Sequence, residues 1–337
     1  MPTPFARLSR MLECCAPSSA GPDALQAMLQ RLIDEHLAEP PLPGAGCTLE
    51  RWRMLAAVAG HDVGLAKLYE GHTDALAILS ELGGPTVPVG SRWGVWAAEP
   101  PHARLGCKVV GSRLRLTGRK AWCSGAGQLS HAMVTAWDAD DQPVLAAVAL
   151  QQPGVTITRD GWHAVGMAAT ASVEVLFEDA EADLIGASGD YLNRPGFWQG
   201  GGGIAACWYG AAVALAEALH DQCQHRPEPH AMAHLGTVDT ALTAANAVLQ
   251  RTAEWIDANP GANAQLQAGR LRAVVEASVE TVLRHVGRAL GATPFCRDAA
   301  FARKAADLPV FIRQSHAERD LAALAALLIE AHTSWRL

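Results

Sequence analysis

The stretch LTGRKAWCSGAGQLSHAMVTAW, Leu116–Trp137, decides how the rest of the chain is read. It begins as an alternating strand, ends in a tryptophan, a cysteine and a serine, turns through two glycines, and resumes as a second strand, HAMVTAW. A strand that ends in a turn needs neither an indole nor a hydroxyl. Side by side, Trp122 and Ser124 offer an apolar face and a hydrogen-bonding group to something flat. Taken alone, the pair reads equally simply as a core tryptophan followed by a turn serine.

Around this stretch the hydrophobic period is two. WGVWAA, CKVVG, RLRLTGRKAWCS, HAMVTAW, PVLAAVAL, VTITRD and VEVLFED are short runs divided by polar or glycine turns, which predicts an antiparallel sandwich or barrel. Upstream the period is helical. DALQAMLQRLIDEHL puts Leu25, Met28, Leu29, Leu32, Ile33 and Leu37 on one stripe, PPLPGAG breaks the chain, and Thr48 is placed to cap the next helix. Downstream, Ala/Leu-rich segments over 204–223, 231–259, 262–290 and 300–332 predict four long helices in an antiparallel bundle. The chain is therefore expected to be α+β and multidomain: an N-terminal helical domain over 1–90, a middle antiparallel β domain over 91–188 and a C-terminal four-helix bundle over 189–337.

Composition narrows the class. The chain has 337 residues, half of them hydrophobic, enough for two or three packed cores. Its formal charge is −7, and the sequence shows no basic run or basic-aromatic stripe, which argues against a nucleic-acid partner. Charged residues are only 18%, so much surface is expected to be buried, partly between copies of the chain. The eight cysteines form no C-x-x-C pair and no zinc spacing, and read as reduced thiols of a cytoplasmic protein without a metal. Arg7 and Arg10 precede no apolar core of leader length, and charges interrupt the Ala-rich segments, so no membrane span is expected. His220, His225, His230 and His234 read as surface histidines rather than ligands.

Helices, a small β domain and a helical bundle, in that order, together with four segments, resemble the acyl-CoA dehydrogenase superfamily. The segments are WGVWAAEPP, LTGRKAWCSGAG…HAMVTAW, GMAATASVEVLFEDAEADLIG and GATPFCRDAAFARKAADLPVFIRQSHAERDLAALA. The resemblance covers nearly the whole length, with the N-terminal helical domain shortened. It implies FAD held between the β domain and the bundle, and a homodimer or homotetramer. Carried onto this chain it places Trp122, Cys123 and Ser124 along the flavin ring and adds Glu99, Arg226 and Ser315 as cofactor contacts. The flavin takes up hydride at N5, and donors there orient the ring and tune its potential.

The same resemblance implies oxidation of a CH–CH group in an acyl thioester or similar apolar small molecule, with an electron acceptor that is not specified. Here the sequence departs from the family. The position of the usual catalytic glutamate holds Arg313, and arginine stays protonated at any working pH. The alternative family position for the base, on the first bundle helix, falls among Gly200–Gly203. The family's T-E-P-x-A-G-S-D reads AEPPHARL, with Ala98 for the hydroxyl and Arg104 available for a phosphate. His316 and Asp320, four apart on one helix face, are candidates for the proton-transfer role, as in relatives that act as flavin oxidases or monooxygenases. The competing reading of SHAERD is a capped helix start, with Ser315 as N-cap and Glu318 completing a capping box. Three functions therefore stand: a dehydrogenase, an oxidase or monooxygenase of the same fold, and a catalytically silent scaffold.

Overall fold

The computed structural model describes residues 3–15, 21–111, 113–332 and 334–336. The chain divides into two compact units. The first takes residues 1–7, 18–40 and 64–197; the second takes 8–17, 41–63 and 198–337.

Helices α1 (Pro4–Glu13), α2 (Pro22–Asp34), α3 (Thr48–His61) and α4 (Val63–Glu81) precede seven strands. In the first unit, α2 starts on Pro22, whose fixed φ suits the first helical turn, and buries the predicted stripe at Leu25, Leu29 and Leu32. Helix α4 buries Tyr69, whose hydroxyl donates to Leu37 O at 2.8 Å. The far end of α4, Ala75, Ile78 and Leu79, packs with Trp93, Met133, Leu145 and Ile185 of the strands.

The strands are β1 (Trp93–Trp96), β2 (Leu105–Val110), β3 (Arg113–Cys123), β4 (His131–Trp137), β5 (Pro143–Ala149), β6 (Val155–Ile157) and β7 (Val173–Ile185). All seven period-two runs become strands. The pairings β4–β2–β3–β7–β5–β4 close on themselves into a small barrel, with β1 and β6 attached to β4 and β7. The expectation of an antiparallel domain needs correction. β1 and β2 both run parallel to β4, because the 97–104 segment crosses over between β1 and β2, the β2–β3 hairpin reverses the chain and the 124–130 turn reverses it again before β4.

The second unit holds α3, most of α6 (Pro195–His225), α7 (Pro229–Ala258), α8 (Gln265–Leu290), α9 (Ala292–Arg297), α10 (Ala299–Phe311) and α11 (Glu318–Glu330). The expected fourth bundle helix is not continuous: a 3-10 turn at Ile312–Gln314 and a left-handed Ala317 (φ 48°) divide α10 from α11. Thr48 is the first helical residue of α3 rather than its cap. Its N–H and hydroxyl donate to the Asp257 carboxylate on α7, at 3.1 Å and 2.6 Å, so a distant residue caps this helix. The Gly200–Gly203 run lies inside α6 and serves packing. A Cβ at Gly202 would sit 2.8 Å from the Trp52 ring and one at Gly203 would sit 2.9 Å from Leu55, both on α3. Among the described residues, and where the sequence suggested no such run, one helix, α6, is long and apolar enough by length and composition to cross a membrane, though 67% of its most apolar window is buried inside the protein.

Candidate functional site

β3 delivers the predicted Trp122–Ser124 pair through a bulge. Lys120 pairs with Val175 and Cys123 with Val173, so three steps on β3 face two on β7. The extra residue is absorbed at Trp122, which adopts a left-handed φ of 55°. In an unbroken strand residues 120 and 122 would share a face. Here Lys120 points into the barrel and is fully buried, while Trp122 turns outward and is 52% exposed. Cys123 follows inward; its thiol donates to Lys120 O at 3.3 Å and is pushed strongly up in pKa by burial. Only its backbone remains to meet a ligand.

Ser124 lies half-buried beside Trp122. Its Oγ shares a hydrogen bond with Ser172 Oγ at 2.8 Å, and its carbonyl accepts from Trp96 Nε1 at 3.1 Å. It borders a shallow recess with Leu68, Val95, Trp96 and Leu129 as apolar walls and Gly71 and Gly94 between them. A Cβ on Gly94 would lie 2.6 Å from Leu129 Cδ1 and 3.0 Å from Trp96 Nε1, so the glycine leaves room for these two side chains against β1. Lys67 reaches the same recess, ion-paired with Glu70.

Glu99 and Arg104 are turned to other work. The Glu99 carboxylate accepts from Thr135 Oγ1 at 2.7 Å, Trp137 Nε1 at 2.9 Å and Lys120 Nζ at 3.4 Å. Arg104 binds Asp141 at 2.5 Å and lies over the Trp137 ring at 4.8 Å. The expected phosphate-facing guanidinium therefore already has an anion.

The other predicted residues lie in the second unit. Arg313 reaches two carboxylates of α8, Glu276 at 2.8 Å and Glu280 at 3.1 Å. Ser315 is buried and donates to the second oxygen of Glu276 at 2.5 Å, while its Oγ accepts from Ala317 N. Glu276 was not legible in the sequence as a site residue, because only the break at 312–317 brings Arg313 and Ser315 to it. The predicted capping box does not form: Ala317 is the N-cap, and it is Asp320 that accepts from the His316 backbone N–H at 3.0 Å. His316 Nδ1 also lies 3.3 Å from Asp320 Oδ1, so the two candidates do pair, with side chains 65% and 44% exposed. Arg226 is exposed just after α6.

An exposed indole next to a hydroxyl provides the apolar face and the hydrogen-bonding group that the edge of an isoalloxazine takes, so Trp122 and Ser124 fit a flavin ring. The residues the family would use for the rest of FAD fit it poorly: Ala98 lacks a hydroxyl and Arg104 is held by Asp141.

No known family model matches the sequence. No curated protein matches it either. Solved structures do resemble it. Methanesulfinate monooxygenase MsuC from Pseudomonas fluorescens is 18% identical, over 100% of this chain and 99% of that chain, with a TM-score of 0.81. TdsC from Paenibacillus sp. A11-2, a dibenzothiophene monooxygenase solved with FMN and indole, is 17% identical over 98% and 96%, with a TM-score of 0.80. KijD3, solved with FMN and a dTDP-linked amino sugar, is 17% identical over 98% and 92%, with a TM-score of 0.76. At such identities the likeness is one of fold, and the fold of this chain is that of the acyl-CoA dehydrogenase-like flavoproteins.

Proposed function

We propose that this chain is a flavin-dependent oxidoreductase of the monooxygenase or oxidase kind, working with FMN and a small apolar substrate. The observation that carries the reading is the outward-turned Trp122 two residues before Ser124, which itself borders a small recess with apolar walls. When bound, the flavin supplies the redox chemistry. Trp122 would supply the apolar face against the ring and Ser124 a hydrogen-bonding group for its edge. Leu68, Val95, Trp96 and Leu129 would shield the Ser124 end of the ring from water. In the second unit, the paired His316 and Asp320 are the candidates for the proton-transfer role.

Two features favour this reading over the acyl-CoA dehydrogenase one. Arg313 cannot abstract a substrate α-proton, and its guanidinium is held by Glu276 and Glu280. The residues matching the family's FAD-gripping turn are altered or engaged elsewhere, which suits the smaller mononucleotide; MsuC and TdsC are monooxygenases, and TdsC and KijD3 were solved with FMN. We also assign the chain to the cytoplasm, in keeping with eight cysteines of which none forms a disulfide, and to a homo-oligomer, in keeping with its low charge content.

The test is to titrate the purified protein with FMN and FAD, oxidised and anaerobically reduced. FMN should bind at least as tightly as FAD, and Trp122→Ala should weaken it by roughly tenfold or more, about 1.4 kcal/mol. With a separate flavin reductase and oxygen, aromatic or sulfur-containing small molecules should gain one oxygen atom. Co-purified FAD that an acyl-CoA bleaches anaerobically would restore the dehydrogenase reading. A chain that binds neither flavin would leave the scaffold.

A further inference from the structure

Lys120 is a lysine with no exposed surface, inside a barrel whose other inward residues are mostly apolar: Leu114, Leu116, Val134, Ala146, Val148 and Phe177. Its ammonium donates to Thr135 O at 2.8 Å, to Thr135 Oγ1 at 2.7 Å and to Glu99 Oε1 at 3.4 Å. Glu99 in turn accepts from Thr135 and Trp137. One ion pair thus ties three pieces of chain together: the 97–104 crossover, β3 and β4. Burial lowers the Lys120 pKa and Glu99 opposes the shift. Such a pair is a poor source of stability, since an apolar side chain of similar size commonly serves as well. Its stronger use is to specify one arrangement over its neighbours.

The arrangement at issue is the bulge. β3 has one residue more than β7 between Lys120 and Cys123, and the excess can be expelled at any of the intervening positions. A fixed inward position at 120 and a fixed inward position at 123 leave only Ala121 and Trp122 to absorb it. Ala121 is buried and Trp122 is the one turned out.

We infer that Lys120 and Glu99 are positioning residues for the flavin platform: their buried ion pair pins β3 inward at residue 120, so that the bulge presents Trp122 outward. The inference rests on the reading of Trp122 as a flavin contact. It gives Glu99 a role different from the cofactor contact that family resemblance implies. Lys120 is fully buried and Glu99 is held by three donors, so both act on the platform through the strands.

The experiment uses the full chain with Glu99→Gln and Lys120→Met combined, which removes both charges while keeping an acceptor for Trp137 and an amide N–H that can donate to the Thr135 hydroxyl. Each protein is compared with its own Trp122→Phe counterpart, so that the acrylamide quenching of Trp122 fluorescence is isolated from the other indoles. The double variant should melt close to the parent, bind FMN at least tenfold more weakly, and show a Trp122 component that is less quenched. Adding Trp122→Ala to it should weaken FMN binding by much less than the same change does in the parent. A folded double variant with the parent's FMN affinity and quenching would overturn the inference. Should that variant fail to fold, Glu99→Gln alone is read the same way, with a smaller loss of three- to tenfold expected and an unchanged affinity counting against the inference. If the parent binds no FMN, the flavin reading falls, while the quenching comparison still decides whether the ion pair sets Trp122.

Discussion

Gly210→Ala is the substitution on which the packing of the second unit can be judged most sharply. A Cβ at Gly210 of α6 would lie 2.1 Å from the Ala56 carbonyl oxygen of α3 and 2.6 Å from Ala56 C and Cα. Ordinary contact begins at 3.4 Å, so the helices would have to part by 3.4 − 2.1 = 1.3 Å. The obstructing atoms are backbone, which cannot rotate aside. Gly60 faces the same crossing, its own Cβ position 3.3 Å from Gly210 O. Overpacking of this kind costs about 3 kcal/mol at the upper end of the usual range. Alanine's better helix propensity offsets about 1 kcal/mol of that. The net expectation is a loss of about 2 kcal/mol. The control lies nine residues earlier in the same helix. Gly201→Ala meets nothing within 4 Å and should stabilise by about 1 kcal/mol from propensity alone. The two proteins should therefore bracket the parent in urea unfolding followed by far-UV circular dichroism. Midpoints are the quantity to compare, because two compact units need not unfold in one step. A Gly210→Ala protein with the parent's midpoint, or both variants moving the same way, would refute the close α3–α6 crossing.

Two further predictions concern pH and capping. His72 is buried and held near a pKa of about 4 by that burial, with Nδ1 accepting from Trp93 N–H at 3.2 Å. The unfolded chain takes up a proton near the ordinary 6.5 and the folded chain only near 4, so this contribution is complete above about 6.5 and is lost as pH falls toward 4. The loss approaches about 3 kcal/mol, and urea midpoints measured from pH 7.5 down to 4.5 should fall less steeply for His72→Gln than for the parent. Asp257→Ala leaves the Thr48 N–H and hydroxyl at the start of α3 without their carboxylate and should cost about 1–2 kcal/mol, whereas Asp257→Asn should cost less; equal midpoints for parent and alanine variant would show that Asp257 does not cap α3.

Much of the fold could be read directly. Each period-two run became a strand, because alternating burial is a local pattern that the barrel does not disturb. Strand direction could not be read that way, since the parallel β1–β4 pair depends on how the 97–104 crossover routes the chain. Nor could the break at 312–317: Phe311, Ile312 and Leu321 continue a helical texture through it, and its partners are on α8, about forty residues away. Thr48 fails as a cap for a related reason, its partner Asp257 being 209 residues distant. At the candidate site, Trp122 and Ser124 stood out by residue type, but which of residues 120 to 123 face outward follows from a bulge that no period reveals. Glu99 was visible as a motif residue, while its engagement by Lys120, Thr135 and Trp137 needs the strands in place.

The bulge at Trp122 has a counterpart. Between Leu116 and Gly118 the imbalance is reversed, with Ala180 and Phe177 opposite, so that β7 carries the extra residue, near the left-handed Asp179. The two irregularities cancel, and the strands leave the pair in the register in which they entered it. The length of β3 is therefore not free to drift. A single-residue deletion between 121 and 123 would abolish one irregularity and leave the other uncompensated, turning one end of the β3–β7 pair inside out relative to the barrel. Related chains that vary here should do so by replacement, or by paired gain and loss on both strands.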